Sequence, residues 1–295
     1  MVTRTNPNLG VLIGYDTSPG SERALDWAAR NAADVKTPLH IVSVVPPVGR
    51  GYARSAVARP GTARSASNLA AARLRDTYPY LTVDTALGEG SPADVLLSEA
   101  RDHADLIVVG SRGHGGFVGP ILGSVSLRVC AHAPCPVVVV PAHETAEVHK
   151  DVAVGVAGDG DTAAIEYAVE QARRTGGDVL AVSVWSAPFI GSALAGAMRG
   201  VGGAEKSADE QRHMLEDILR PVRARARDVV IESVVRGGTT PYALVRAAAC
   251  AGLLVVSARR GRRAVRMRLG PTTHAVLRQA RCPVAVVPRV HESRG

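Results

Sequence analysis

The segment from Val109 to Ser126, VGSRGHGGFVGPILGSVS, holds the residues whose types and spacing could do chemistry. Two residues lie between Gly110 and Gly113, nine lie between Gly113 and Gly123, and Ser124 follows Gly123 directly. A strand that runs out into glycines offers backbone N–H groups with no Cβ in the way of a ligand. Gly123-Ser124 reads as the opening of a helix. Unpaired N–H groups and the positive end of the macrodipole favour a phosphate there, and the hydroxyls of Ser124 and Ser126 add donors.

A second candidate is Asp16, at the end of an apolar run in VLIGYDTSPGSERA. A carboxylate at that position can accept hydrogen bonds from ribose hydroxyls or an adenine amine, and Gly14 beside it opens the backbone to a ligand. The competing reading has Asp16 starting a turn or helping to cap the helix at Ser21. Together with the glycine loop, the binding reading is preferred.

Positioning these residues takes parallel strands joined by crossover helices. Short Val/Leu/Ile runs alternate with helical patterns, which predicts strands near Leu12–Tyr15, Leu39–Val44, Leu81–Ala86, Leu106–Val109 and Val137–Val140. Helices are expected in SERALDWAARNAAD, SNLAAARLRDTY and PADVLLSEARDH, and from Ser124 onward. In such sheets ligands sit outside the carboxyl ends of the strands where the strand order reverses, and there the loops after the first and fourth strands can meet.

The pattern occurs twice. Leu122–Pro141, LGSVSLRVCAHAPCPVVVVP, aligns without gaps at an offset of 147 on Leu269–Pro288, LGPTTHAVLRQARCPVAVVP, and VLIGYD resembles VAVGVA from Val152. The expected organisation is a domain over residues 1–141, a linker over 142–150 and a second domain over 151–295. PPVGRGYARSAVARP, from Pro46 to Pro60, is read as the irregular loop of the first copy, with Ser186–Gly203 as its counterpart.

GSRGHGGFVGPILGSVSLRVCAHAPCPVVVV resembles the nucleotide-binding signature of the universal stress protein family, with VGSRG, LGSVS and HAPCPVVVV matched almost letter for letter. The resemblance covers essentially the whole chain as two tandem copies. It implies an α/β fold of two doubly wound domains, each a five-stranded parallel sheet of order 3-2-1-4-5 flanked by helices. It also implies ATP or a related adenine nucleotide in the first copy, with Mg²⁺ accompanying the phosphates. Adenine and ribose would lie near Asp16, Val44 and Val109, and the phosphates on Gly110, Arg112, Gly113, Gly123, Ser124, Val125 and Ser126. The family's habit further implies an intrachain pseudo-dimer through the last strands, Val137–Val140 and Val284–Val287, and a homodimer of the whole chain. The function implied is that of a nucleotide-dependent stress-response regulator.

The second copy departs from the motif. Gly110 corresponds to Ser257, Gly113 to Arg260 and Ser124 to Pro271, while Gly123 keeps its partner in Gly270. Proline removes an N–H and the hydroxyl, so poor nucleotide binding is expected there. Asp16 aligns with Ala157, with Asp159 and Asp161 close by.

Net charge is +8, with 14 cations against 13 anions in residues 1–150 and 21 against 14 in residues 151–295. Part of the excess is a run of Arg259, Arg260, Arg262, Arg263, Arg266 and Arg268. Arginine forks could form an anion site, for a polyphosphate, a nucleotide of another kind or nucleic acid. A solvated remnant of a decayed nucleotide loop is the preferred reading, and an aromatic content of 3% disfavours nucleic acid.

Other chemistries find little support. There is no GxxxxGK[ST], GxSxG or HExxH, and no metal site is expected. A slow ATPase, or self-phosphorylation on Ser124 or Ser126, is the enzymatic alternative, but no base aimed at a γ-phosphate is identifiable. His114 and His132 are read as polar and structural, and the four cysteines as buried, reduced thiols. No apolar run reaches the roughly 18 residues of a membrane span, and the amino end lacks a secretory pattern, so a cytoplasmic protein is expected.

Overall fold

The computed structural model describes residues 9–45, 59–113, 122–142, 149–185, 201–258 and 269–289, the side chains of 201–207 excepted. The first compact unit contains β1 (Gly10–Gly14), α1 (Pro19–Val35), β2 (Leu39–Val45), α2 (Pro60–Thr77), β3 (Val83–Glu89), α3 (Pro92–His103), β4 (Ala104–Gly110), α4 (Ser124–His132) and β5 (Val137–Val140). The second contains β6 (Val152–Gly155), a 3-10 turn (Asp159–Asp161), α5 (Thr162–Thr175), β7 (Val179–Trp185), α6 (Val201–Arg225), β8 (Ile231–Gly237), α7 (Thr240–Ala247), β9 (Leu253–Ala258), α8 (Pro271–Gln279) and β10 (Val284–Pro288).

Within the first unit the strands are parallel in the order β3-β2-β1-β4-β5. Within the second they are parallel in the order β8-β7-β6-β9-β10. Each unit is therefore the expected doubly wound α/β sheet. Helices on both faces explain why the inner strands read as continuous apolar runs: Leu106, Ile107, Val108 and Val109 of β4 are all buried.

Helix α1 illustrates the local logic. Ser18 is the N-cap, its side chain accepting from the Ser21 N–H, and Pro19 occupies the first turn. Ala24, Leu25, Ala28, Ala29 and Ala32 form the buried stripe, small enough for the helix to lie close to the sheet. Lys36 ends the helix in the left-handed conformation, φ 54, with its N–H turned back on Ala32 and Ala33 carbonyls.

Several boundaries differ from expectation, three of them for a plain physical reason. Strand β3 begins at Val83 rather than Leu81, because Leu81 closes a turn in which its N–H donates to the Tyr78 carbonyl at 2.9 Å. Helix α2 starts at Pro60, seven residues before SNLAAARLRDTY; proline pre-sets the first turn, and the Ala/Ser/Arg composition there hides any apolar period. The final residues of the expected insertion, from Val201, already belong to α6. The remainder of both irregular loops lies outside the described residues, as do His114 and Arg259, Arg260, Arg262, Arg263, Arg266 and Arg268. Among the described residues no helix is long and apolar enough to cross a membrane.

Candidate functional site

Parallel strands put their carboxyl ends on one edge, so in the first unit Gly14, Val44 and Gly110 end their strands on the same side of the sheet. The order of connection reverses between β1 and β4, which is where a doubly wound sheet opens a crevice.

The turn after β1 is tightly built. Ser18 donates both its N–H, at 3.0 Å, and its hydroxyl, at 2.5 Å, to Asp16 Oδ1. The Asp16 N–H donates to Ser21 Oγ at 3.3 Å. These bonds hold Thr17, a β-branched residue, at φ 63, a conformation such residues rarely adopt. Asp16 thus does start a turn. Its other oxygen, Oδ2, faces the α-carbon of Gly113, where an added Cβ would collide with it. The loop after β1 and the loop after β4 therefore meet at Asp16 and Gly113.

The glycines serve different ends. A Cβ on Gly110 would lie 2.7 Å from the carbonyl carbon of Gly20 and 3.0 Å from the Ser21 nitrogen, in the first turn of α1. Gly20 in turn would meet the Arg112 carbonyl at 2.5 Å. On Gly14 the added atom would press on Leu96 of α3 at 2.9 Å and on Val109 at 3.5 Å. The space that these two strand-end glycines leave is filled by the protein's own helices, whereas sequence reasoning gave it to a ligand.

Helix α4 begins beside this crevice. The Gly123 N–H donates to the Ser111 carbonyl at 2.8 Å, and the Ser111 N–H to the Val140 carbonyl at 2.7 Å, so the helix start is pinned to β4 and β5. Gly123 is the N-cap and supplies no side-chain cap. By position, the N–H groups of Ser124, Val125 and Ser126 have no carbonyl one turn earlier in the helix. Ser124 is exposed and Val125 partly so, but Ser126 is buried, its hydroxyl donating to the Gly110 carbonyl at 2.7 Å.

Sequence reasoning missed the supporting network. Tyr15, next to Asp16, donates its hydroxyl to Glu22, and Arg73 of α2 binds Glu22 at 3.1 Å and Asp26 at 3.2 Å. Burial first, and then the bond to Glu22, hold the Tyr15 hydroxyl well above its usual pKa. Behind the turn, Ser43 of β2 donates to the Tyr15 carbonyl at 2.8 Å and lies 2.7 Å from the Ser67 hydroxyl of α2. Serines in a buried strand and on a helix stripe were the available signal, since a buried hydroxyl needs a partner.

In the second unit the corresponding turn is closed from within. Asp161 Oδ2 accepts the Ala157 N–H at 2.7 Å, the part Ser21 plays for Asp16. Asp161 Oδ1 takes a hydrogen bond from Arg289, the residue after β10. The absent side chain of Gly160 leaves room for that guanidinium, whose Nη1 would be 2.9 Å from an added Cβ. The first unit bridges the same interval in the opposite sense: Arg23 of α1 donates to the Ala142 carbonyl, and Ala142 occupies the place of Arg289 in the repeat.

The expected helix-end role of His132 has a counterpart in the structure: it closes α4, its Nδ1 2.8 Å from the Arg128 carbonyl. Cys130 and Cys282 are buried and Cys135 partly buried, all as free thiols. Cys250 is exposed, contrary to expectation: in the 3-10 turn after α7 Ala248 packs inward, while Ala249 and Cys250 lie on the outer side.

The model of the universal stress protein family matches residues 10–141 and 149–288. Universal stress protein Rv1996 of Mycobacterium tuberculosis is 31% identical over 310 residues, covering 95% of each chain. Universal stress protein Rv2623 of the same organism is 30% identical over 298 residues, covering 95% of this chain and 97% of its own. A universal stress protein of Archaeoglobus fulgidus has a similar fold, with a TM-score of 0.67 at 19% identity over 95% of this chain and 98% of its own. The chain belongs to the universal stress protein family, as a tandem member.

Proposed function

We propose that the first unit binds an adenine nucleotide, ATP foremost, and that the protein acts as a nucleotide-dependent regulator. The observation that carries this reading is the meeting of Asp16 and Gly113 at the switch point, beside the uncapped first turn of α4. The phosphates would lie on the amides of Gly113, Ser124 and Val125 with the exposed Ser124 hydroxyl, drawn there by the helix dipole. Asp16 Oδ2 would accept from the ribose, and Val44, half-buried at the end of β2, would line the base. Family membership supports the adenine nucleotide in particular. Mg²⁺ would accompany the phosphates and screen their charge.

Binding and release, not turnover, would be the signal: nucleotide held between two loops restrains them, and a partner reads the restrained form. The second unit, with Pro271 at its helix start and Arg289 over its turn, would hold no nucleotide in this way. Titration calorimetry and native mass spectrometry test the reading. One ATP per chain is expected, lost in Gly113→Ala, whose new methyl would meet the Asp16 carboxylate. No heat and no retained nucleotide at millimolar ATP would sink it. Steady multiple turnover abolished by the same substitution would replace it with the enzymatic alternative.

A further inference from the structure

We infer that Ser126 is a positioning residue, a latch between α4 and β4 rather than a ligand of the phosphates. The inference rests on the nucleotide reading of the first unit and says which of its serines does what.

A hydroxyl has one proton to give, and a fully ionised phosphate needs donors. The Ser126 proton is committed to the Gly110 carbonyl at 2.7 Å, in a residue only 3% exposed, so it serves the protein and not the ligand. Ser124, one position along the same turn from the Val125 amide, is exposed and remains the donor for the phosphate.

The second unit supplies an independent observation. There Thr273 stands at the Ser126 position, 5% exposed, and its hydroxyl points at the Ser257 carbonyl at 3.4 Å, the residue aligned with Gly110. That copy has lost Gly110, Gly113 and Ser124 from the motif, yet a hydroxyl still links the first turn of the helix to the end of the strand. A group present in the copy whose phosphate motif is broken is explained by architecture. In the first unit the latch acts with the Gly123-to-Ser111 bond: the two tie the helix start to consecutive carbonyls, Gly110 and Ser111, and so fix the direction of the Ser124 and Val125 amides.

The test uses the full chain and Ser126→Ala, Ser126→Thr, Ser126→Val and Ser124→Ala variants. Affinities for ATP and adenosine are measured beside amide exchange of the nucleotide-free protein at Leu127, whose N–H donates to the Gly123 carbonyl at 3.1 Å. Loss of the latch in Ser126→Ala and Ser126→Val should weaken ATP about tenfold, leave adenosine within about twofold and speed Leu127 exchange. Ser126→Thr, the residue the second unit uses, should restore both properties. Ser124→Ala should weaken ATP with Leu127 exchange unchanged.

Two results would overturn the latch: Ser126→Ala weakening ATP with nucleotide-free exchange unaltered, which makes the hydroxyl a ligand, or Ser126→Ala altering neither property. Should wild type bind no nucleotide, the functional reading falls, and the exchange comparison between Ala and Thr alone upholds or overturns the latch.

Discussion

Arg289 and Asp161, 128 residues apart, form an ion pair in which the carboxylate is 3% exposed and the guanidinium 28%. The acid is shared with the Ala157 N–H, so one buried side chain ties the turn after β6 to the end of β10.

Arg289→Ala leaves that buried carboxylate without its counter-ion. Allowing for the partial exposure of the arginine, a loss of about 2 kcal/mol is expected. The first unit has Ser21 and Ala142 at the two positions, so Asp161→Ser combined with Arg289→Ala should lose less than the single Arg289 variant. Urea unfolding of Arg289→Ala, Asp161→Ser and the double variant beside wild type completes the double-mutant cycle that measures the coupling, and strict additivity would refute it.

Gly110→Ala and Gly113→Ala should separate stability from binding. The first forces a methyl onto the Gly20 backbone at 2.7 Å, where no flexible side chain can yield, and should lower stability by about 1–3 kcal/mol. The second meets a carboxylate at a loop and should act on ATP affinity with little change in melting temperature. Thermal melting without nucleotide, followed by calorimetry with ATP, distinguishes the two.

His40 predicts an acid sensitivity of the first unit. Its imidazole sits between Gly10 of β1, Asp84 of β3 at 3.8 Å, and His103 of α3, with ring centroids 6.0 Å apart and Glu99 nearby. Desolvation lowers its pKa below the ordinary 6.5, against the opposing pull of Asp84. The folded state therefore binds this proton less readily than the unfolded chain. Stability from this group is complete above the unfolded value and is lost as pH falls below 6.5 toward the folded value. The second unit has Leu180 at the matching strand position, so His40→Leu should flatten the fall in melting temperature between pH 7.5 and 5.5. An unchanged slope would remove His40 as its cause.

The cysteines should sort by burial. Desolvation pushes the Cys130 thiol up to about 12 and Cys282 to about 11, so at pH 7.5 both are protonated as well as shielded. Exposed Cys250 should react first with a thiol reagent in the native protein, and Cys130 and Cys282 only on unfolding. Peptide mapping after a short alkylation reads the order directly.

What could be read in advance follows from the range of each signal. Strands β4 and β5 were legible because burial on both faces leaves apolar runs, and α3, from Pro92 to His103, because proline marks its start. Edge strand β3 was displaced because its exposed Asp84, Thr85 and Ala86 carry no such run. The glycine loop and Asp16 stood out as local spacing. The division of labour among the glycines did not, since the contact of Gly110 with Gly20 depends on how α1 lies over β4. Arg289 and Asp161 share no local pattern at all, and Ser126 could be told from Ser124 only once burial and the position of a carbonyl were known.

The buried hydroxyl behind the first turn has a parallel in the second unit, where Ser183 of β7 donates to the Val156 carbonyl at 2.8 Å and receives Gln211 of α6 at 2.7 Å. In both copies the helix after the second strand is thus tied to that strand by a side chain of its own well inside the element, Ser67 or Gln211. The same strand serine that holds the helix also holds the carbonyl at the end of the first strand, Tyr15 or Val156, so the seat of the helix and the shape of the turn are fixed through one hydroxyl.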